Sequence, residues 1–193
     1  MRLFFDMEFT GLRQNTTPIS LGIVSEDGKK FYAEFTDYDE SQCDDWIKKN
    51  VIGNLRLRGM GVGVSETDEE YSTRMVMGNK EYIHKELKEW LSQFDTIQFV
   101  SDVCHYDFVL LIDLLTNGGT ALDLPGNISA VCHDLNMDIA RHFHVSDHEA
   151  FDMNREQIMN DLCGPDDIVT GDKHNSLYDS CVIRAIYKEI VGF

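Results

Sequence analysis

The segment Leu3-Phe4-Phe5-Asp6-Met7-Glu8-Phe9 constrains this chain more than any other. Its apolar residues fall on both faces of an extended strand, which places it centrally in a sheet covered on two sides. Successive strand side chains alternate faces, so Asp6 and Glu8 point the same way, about 7 Å apart along the chain. Two carboxylates on one face of a buried strand are costly unless a cation compensates them. A fold built around this strand must supply that compensation.

Composition sets the control for this argument. With 34 Asp and Glu against 17 Lys and Arg, a formal charge of −17, acidic patterns arise by accident. The pattern D-x-E recurs at Asp68/Glu70 and Asp147/Glu149, but only Asp6/Glu8 lies inside an apolar strand. The same misplacement appears in two helices. Asp107 heads a stripe of Leu110, Leu111 and Leu114, and Asp179 heads Val182, Ile183 and Ile186. A solvated acid belongs on the opposite face, as Asp113 does. The helix dipole favours an acid in the first turn, which accounts for either helical residue alone but not for four inward acids on three elements. Hard oxygen donors without a Cys/His set suit magnesium or manganese rather than zinc. Such a cluster can clamp a phosphodiester between two ions. The charge of −17 excludes a general basic surface for polyanions, while leaving room for local, metal-mediated contact with RNA or DNA.

A length of 193 residues predicts one α/β domain over 1–193 with its own core. Hydrophobic residues at 42% and charged residues at 26% fit a soluble globular protein. The first apolar run meets Asp6 too early for a secretory signal, and no run approaches the length of a membrane span. The five scattered cysteines read as reduced thiols, pointing to the cytoplasm. Strands are expected at Leu3–Phe9, Ile19–Ser25, Phe31–Thr36, Thr96–Val100 and Ile128–Cys132, with a hairpin turn at Glu26-Asp27-Gly28-Lys29. Helices are expected at Asp44–Val51, Lys80–Phe94, Tyr106–Leu115, Asn136–His144 and Leu177–Val191. Between them, residues 52–79 read as a Gly-rich loop or insertion. Three meandering strands followed by alternating helices and strands predict a mixed sheet flanked by helices.

Three segments together resemble a known family. Phe4-Phe5-Asp6-Met7-Glu8-Phe9-Thr10-Gly11-Leu12 looks like the first motif of the DEDDh 3′–5′ exonuclease superfamily, close to its oligoribonuclease form. Val100-Ser101-Asp102-Val103-Cys104-His105-Tyr106-Asp107 resembles the second, and His174-Asn175-Ser176-Leu177-Tyr178-Asp179-Ser180 the third. They occur in the family's order and span nearly the whole chain. The intervening elements resemble a compact bacterial and phage branch of exoribonucleases. The resemblance implies an RNase H-like fold with a five-stranded mixed sheet. It also implies two magnesium or manganese ions held by Asp6, Glu8, Asp107 and Asp179, with His174 as the general base. The expected substrate is the 3′ end of single-stranded RNA, or of DNA, with nucleoside 5′-monophosphates as product. A homodimer is expected by analogy.

Several residues carry alternatives. Asp102 stands where relatives often have Asn or Gly, so it competes with Asp107 as a ligand or takes a place in substrate binding. Ser176 and Ser180 replace the usual alanines. By the resemblance, Thr10, Gly11 and Leu12 contact the terminal nucleotide, Leu12 as a wedge; otherwise Thr10 is a loop residue and Leu12 belongs to the core. His and Asp stand five apart at His133/Asp138 and His142/Asp147 as well as at His174/Asp179, but only the last pair opens a strongly amphipathic helix. His142, His144 and His148 could suggest zinc, yet their charged neighbours favour a solvated segment. Gly59-Met60-Gly61-Val62-Gly63 lacks the strand-then-helix setting of a dinucleotide loop. Arg56, Arg58, Arg74, Lys80 and Lys173 are possible backbone contacts. The rival functions are a catalytically weak module that binds nucleic acid or protein, and a DNA-specific exonuclease.

Overall fold

The computed structural model describes residues 1–67 and 73–193. Its strands are β1 (Arg2–Phe9), β2 (Pro18–Ser25), β3 (Lys30–Phe35), β4 (Gly63–Thr67), β5 (Thr73–Gly78), β6 (Gln98–Ser101) and β7 (His133–Asp134). They form one seven-stranded sheet in the order β4-β5-β3-β2-β1-β6-β7. β1, β2 and β3 form an antiparallel meander, while β6 runs parallel to β1 and β7 parallel to β6. The helices are α1 (Asp45–Asn50), α2 (Lys80–Leu91), α3 (His105–Leu115), α4 (Leu135–Phe143), α5 (Asp147–Asp152), α6 (Arg155–Leu162) and α7 (Ser176–Ile190).

The expected five-stranded sheet corresponds to β3-β2-β1-β6-β7, and two further strands extend it. Both come from the segment expected to be a loop. β5 pairs parallel with the outer edge of β3, and β4 covers β5 in antiparallel register. An open β3 edge would leave unpaired main-chain groups, and Val76 of β5 is fully buried there. The Asp68/Glu70 pair lies outside the described residues. Ile128–Cys132 is not a strand either. Ile128 makes a single bridge to Ile97, and the strand begins at His133. Ser129 Oγ accepts from the Val131 N–H at 3.1 Å, a local bond that competes with sheet pairing. Two helices, α5 and α6, went unanticipated. Their signals are short: a Ser146/Glu149 capping box and an Asn154 cap.

β1 divides the core. Leu3, Phe5 and Met7 pack toward Ile83, Leu87, Leu111 and Leu114 of α2 and α3. Phe4 packs toward Leu135, Ile158, Val182 and Ile183 of α4, α6 and α7. By strand alternation Asp6 and Glu8 share the Phe4 side, under α7. The start of α7 sits unusually close to the sheet. A Cβ on Gly22 would lie 2.2 Å from the Ser176 carbonyl oxygen and 2.3 Å from the Leu177 nitrogen. Gly22 is the β-sheet partner of Asp6, so this close approach brings the first turn of α7 beside that acid. Buried Ser176 adds a 2.9 Å hydroxyl bond to Ser20, and buried Ser180 donates to the Leu177 carbonyl. Both serines are therefore accommodated where small residues are needed. Gly22→Ala should cost about 3 kcal/mol by overpacking. For a chain of this size that lowers the melting temperature by about 6–12 °C, measurable by circular dichroism.

Candidate active site

The sheet pairing of β6 with β1 runs only from Arg2 to Phe4. Beyond Phe4, the β1 edge on that side has no strand partner among the described residues. The Met7 N–H, between Asp6 and Glu8, is satisfied instead by Asp107 Oδ1 at 2.9 Å. Asp107 comes from the first turn of α3 and is buried. Its chain direction is set just upstream, where Val103 adopts a left-handed conformation (φ 52°) and its N–H donates to Asp134 Oδ1 at 3.0 Å. A β-branched residue rarely accepts that geometry.

Asp179 arrives from the opposite layer. Asn175 caps α7, accepting from the Tyr178 N–H while its own amide donates to Tyr32 Oη and the Asn54 carbonyl. His174 lies one residue before the cap in a left-handed conformation (φ 64°). Its N–H donates to Asp179 Oδ2 at 2.8 Å. The five-residue spacing of His174 and Asp179 is therefore the span of a cap whose carboxylate reaches back to the preceding loop. The other two pairs do not form such a cap: His133 hydrogen-bonds its Asp138 through the ring, and Asp147 opens α5.

Glu8, His174 and Asp179 each bring one donor atom within 4.8 Å of the others. His174 Nδ1 is 3.9 Å from Glu8 Oε1. Among the described residues no other set of three potential ligands converges this way, and His142, His144 and His148 do not. Asp102 does not stand free as a ligand. Its carboxylate is clamped by Arg155, Nε to Oδ2 at 2.7 Å and Nη2 to Oδ1 at 3.0 Å. Arg155 also donates to Asn136 Oδ1 and to the carbonyls of Ala150 and Met153. Asp102 thus ties the end of β6 to α4–α6, and Asp107 is the acid presented to β1. A cavity of about 340 Å³ opens from Asp6, Glu8 and Asp179 toward Phe151, Lys173 and His174.

The electrostatics are those of crowded acids. Burial, with Asp107, Asp179 and Glu8 adding like charge, raises the proton affinity of Asp6 well above the ordinary carboxylate range. Burial and the neighbouring Asp179 and Asp107 raise the Glu8 pKa to about 8. Asp179 rises to about 7 through burial, opposed by the His174 N–H and Lys173. Asp107 rises to about 6, burial outweighing the Met7 N–H. His174 is lowered, first by burial and then by Lys173. No Lys or Arg among the described residues forms an ion pair with these four acids.

The loop after β1 separates the remaining expectations. Leu12 is 77% exposed, so it is not a core residue. Gly11 has φ 145°, a conformation side chains disfavour, and turns the chain out of β1. Thr10 is fully buried; its hydroxyl donates to Gln42 Oε1 at 2.6 Å and accepts from the Thr17 N–H at 3.0 Å. It holds the loop shut, and its hydroxyl is already engaged. Arg74 is paired with Glu86 and Glu89, and Lys80 with Asp113, so neither is presented as a backbone contact. Trp46 and Phe151 were missed by sequence reasoning. Trp46, half exposed, packs edge-on to His174 at 4.9 Å between ring centroids. An exposed aromatic on a short helix carries no periodic signal that could have marked it.

No family model matches this chain. Two proteins of Mycobacterium tuberculosis, from strains CDC 1551 and H37Rv and each named a 3′–5′ exoribonuclease, are 36% identical over 55 residues. The match spans 28% of this chain and 33% of theirs. Among solved structures, a 3′-exonuclease described in the recognition of a histone mRNA stem-loop superposes with a TM-score of 0.60 at 11% identity. That superposition covers 99% of this chain and 63% of the other. The chain has the fold of a 3′-exonuclease. A yeast NOT1 MIF4G structure containing CAF1 is also similar, with a TM-score of 0.50 at 16% identity, covering 97% of this chain and 79% of the other. The RNase H-like architecture is thereby established, with the β4–β5 hairpin as an addition to the expected five strands. Among the described residues no helix is long and apolar enough to cross a membrane.

The raised acids make the fold pH-dependent. Their pKa values exceed those of the unfolded chain (about 4), so folding binds protons between those limits. The stability they contribute is present at low pH and lost as pH rises through about 6 to 8. In EDTA the melting temperature should fall between pH 5.5 and 8.5, and Glu8→Gln should flatten that fall. Equal slopes for both proteins would show that Glu8 ionises normally. Separately, Trp46 makes His174 visible. The other tryptophan, Trp90, is buried in the core. Tryptophan emission should titrate with a midpoint below about 6.5, and Trp46→Phe should remove the transition.

Proposed function

We propose that this chain is a divalent-metal-dependent 3′–5′ exonuclease that removes nucleoside 5′-monophosphates from the 3′ end of single-stranded nucleic acid, RNA in preference to DNA. The observation that carries this reading is the convergence of Asp6, Glu8, Asp107 and Asp179, from β1, α3 and α7, beside a solvent-reachable histidine. The preference for RNA is supported by the partial relatives named exoribonucleases.

The donor chemistry fits the metal. Four uncompensated carboxylates with raised proton affinity offer only hard oxygen donors, suited to magnesium or manganese. Asp6, Glu8, Asp107 and Asp179 would hold two such ions, which supply positive charge to the scissile phosphate and acidity to the attacking water. The protein's own groups do the rest. Met7 N–H and His174 N–H fix the two helical carboxylates, so the site is assembled before substrate arrives. Burial and Lys173 keep His174 neutral near pH 7, leaving a ring nitrogen able to accept the proton of water. Exposed Leu12 offers an apolar edge to the terminal base.

Digestion of 5′-labelled single-stranded RNA and DNA with manganese, against EDTA, tests the proposal. A ladder shortening from the 3′ end is expected, faster on RNA. No cleavage with any divalent ion would favour a binding module. His174→Ala should lose at least about a hundredfold in turnover while retaining metal-induced thermal stabilisation, and exposed His142→Ala should be silent. Retained turnover in His174→Ala would remove the general-base role. Leu12→Ala should weaken oligonucleotide affinity with little change in melting temperature, because its side chain is already in solvent.

A further inference from the structure

The site is negative, and so is the chain, yet the cations left unpaired are not spread evenly. At least eight of the 17 Lys and Arg side chains are paired with carboxylates, as in Arg2–Glu26, Arg74–Glu86, Lys80–Asp113, Arg155–Asp102 and Lys188–Asp167, while exposed Lys88 on α2 forms no ion pair with a described residue. Arg184 is committed to the carbonyls of Ser25 and Glu26. Arg13, Lys48, Lys49, Arg56, Arg58 and Lys173 form no ion pair with a described residue. All six are exposed and lie on segments bordering the active site. In a chain where acids outnumber bases two to one, these six are positive charges without an ion-pair partner, interspersed with exposed acids such as Asp39, Asp44 and Asp45.

These segments are fixed to the site. Asn54 Nδ2 donates to the Lys173 carbonyl at 2.8 Å and to the Asn50 carbonyl at 2.7 Å, joining α1, residue 54 and the His174 loop. Leu57 is buried against Tyr32 and Leu177. Arg56 and Arg58 are exposed on either side of buried Leu57. Lys49 follows Trp46 by three residues on α1, one turn along the same face, and Trp46 touches His174. The half-exposed Trp46 ring offers a stacking surface between the acids and these cations.

We infer that the substrate strand upstream of the scissile bond leaves the acidic site across α1 and residues 54–58, its phosphates against Lys49, Arg56 and Arg58, so that the preferred substrate is a strand of several nucleotides rather than a dinucleotide. This rests on the exonuclease reading for the position of the scissile bond, but the binding it describes is measurable without turnover.

The experiment compares the wild type with a triple variant, Lys49→Gln, Arg56→Gln and Arg58→Gln. A control variant, Lys29→Gln, Lys85→Gln and Lys88→Gln, removes the same charge elsewhere. Binding of a fluorescent RNA 12-mer is read in calcium across a salt series, and kcat/KM for the 12-mer and a dinucleotide is read in manganese. All three proteins are checked by thermal melt. Each single-strand phosphate contact contributes about 0.7 to the slope of log affinity against log salt. The triple variant should therefore lose about 2 from that slope, bind the 12-mer at least about tenfold more weakly, and lose its preference for the 12-mer over the dinucleotide. An unchanged slope, or an equal loss in the control variant, overturns the track. If no protein cleaves either substrate while the slope still falls only in the triple variant, the exonuclease reading fails and the binding track stands.

Discussion

Four carboxylates that repel one another are held in one site because two of them are tied to the main chain. Asp107 accepts the N–H of Met7, a hundred residues away, and Asp179 accepts the N–H of His174. Each bond favours the ionised acid, and burial opposes it. Burial prevails: both acids keep raised pKa values despite their N–H donors. That uncompensated negative charge is what divalent cations would relieve. Without the early end of β6 pairing on β1, Met7 would have no N–H to offer, and without the Gly22 seat α7 would start too far from Asp6.

Charge is divided with the same economy across the rest of the molecule. The acids of the site have no Lys or Arg partner among the described residues, while Asp102, lining the same cavity, is neutralised by Arg155 and serves as a tie between β6 and the α4–α6 layer. The β1–β2 loop is closed by Thr10 and Gln42, leaving Leu12 projecting. Two aromatic residues border the site half exposed, Phe151 lining the cavity and Trp46 against His174. A surface of this kind suits a flexible chain of bases and phosphates better than a small rigid metabolite, which would call for an enclosed apolar pocket.

What could be read from the sequence were the elements that carry strong periodicity and the acids that break it. Asp6, Glu8, Asp107 and Asp179 stand out because each is polar where its own strand or helix is apolar, a local contradiction visible without coordinates. Leu12 could not be assigned to core or surface, since an isolated leucine after a strand has no period to follow. Arg74 and Lys80 looked as available as Arg56 and Arg58, because pairing depends on acids distant in sequence or on the next turn of a fold not yet built. The β4–β5 hairpin was hidden by glycines that read as loop, although the demand for it came from the open edge of β3.

The sequence by itself determined the central strand, the inward acids and the place of His174 just before the last helix, because these depend on periods of two and 3.6 residues and on spacing within one segment. Tertiary structure alone decided that Asp102 is clamped by Arg155, that α7 can sit against Gly22, and that Arg56 and Arg58 are left unpaired while Arg74 and Lys80 are not. Those outcomes depend on which main-chain groups remain unsatisfied and which backbones approach closely after the sheet has formed. Both are properties of residues brought together from distant parts of the chain, which no local pattern encodes.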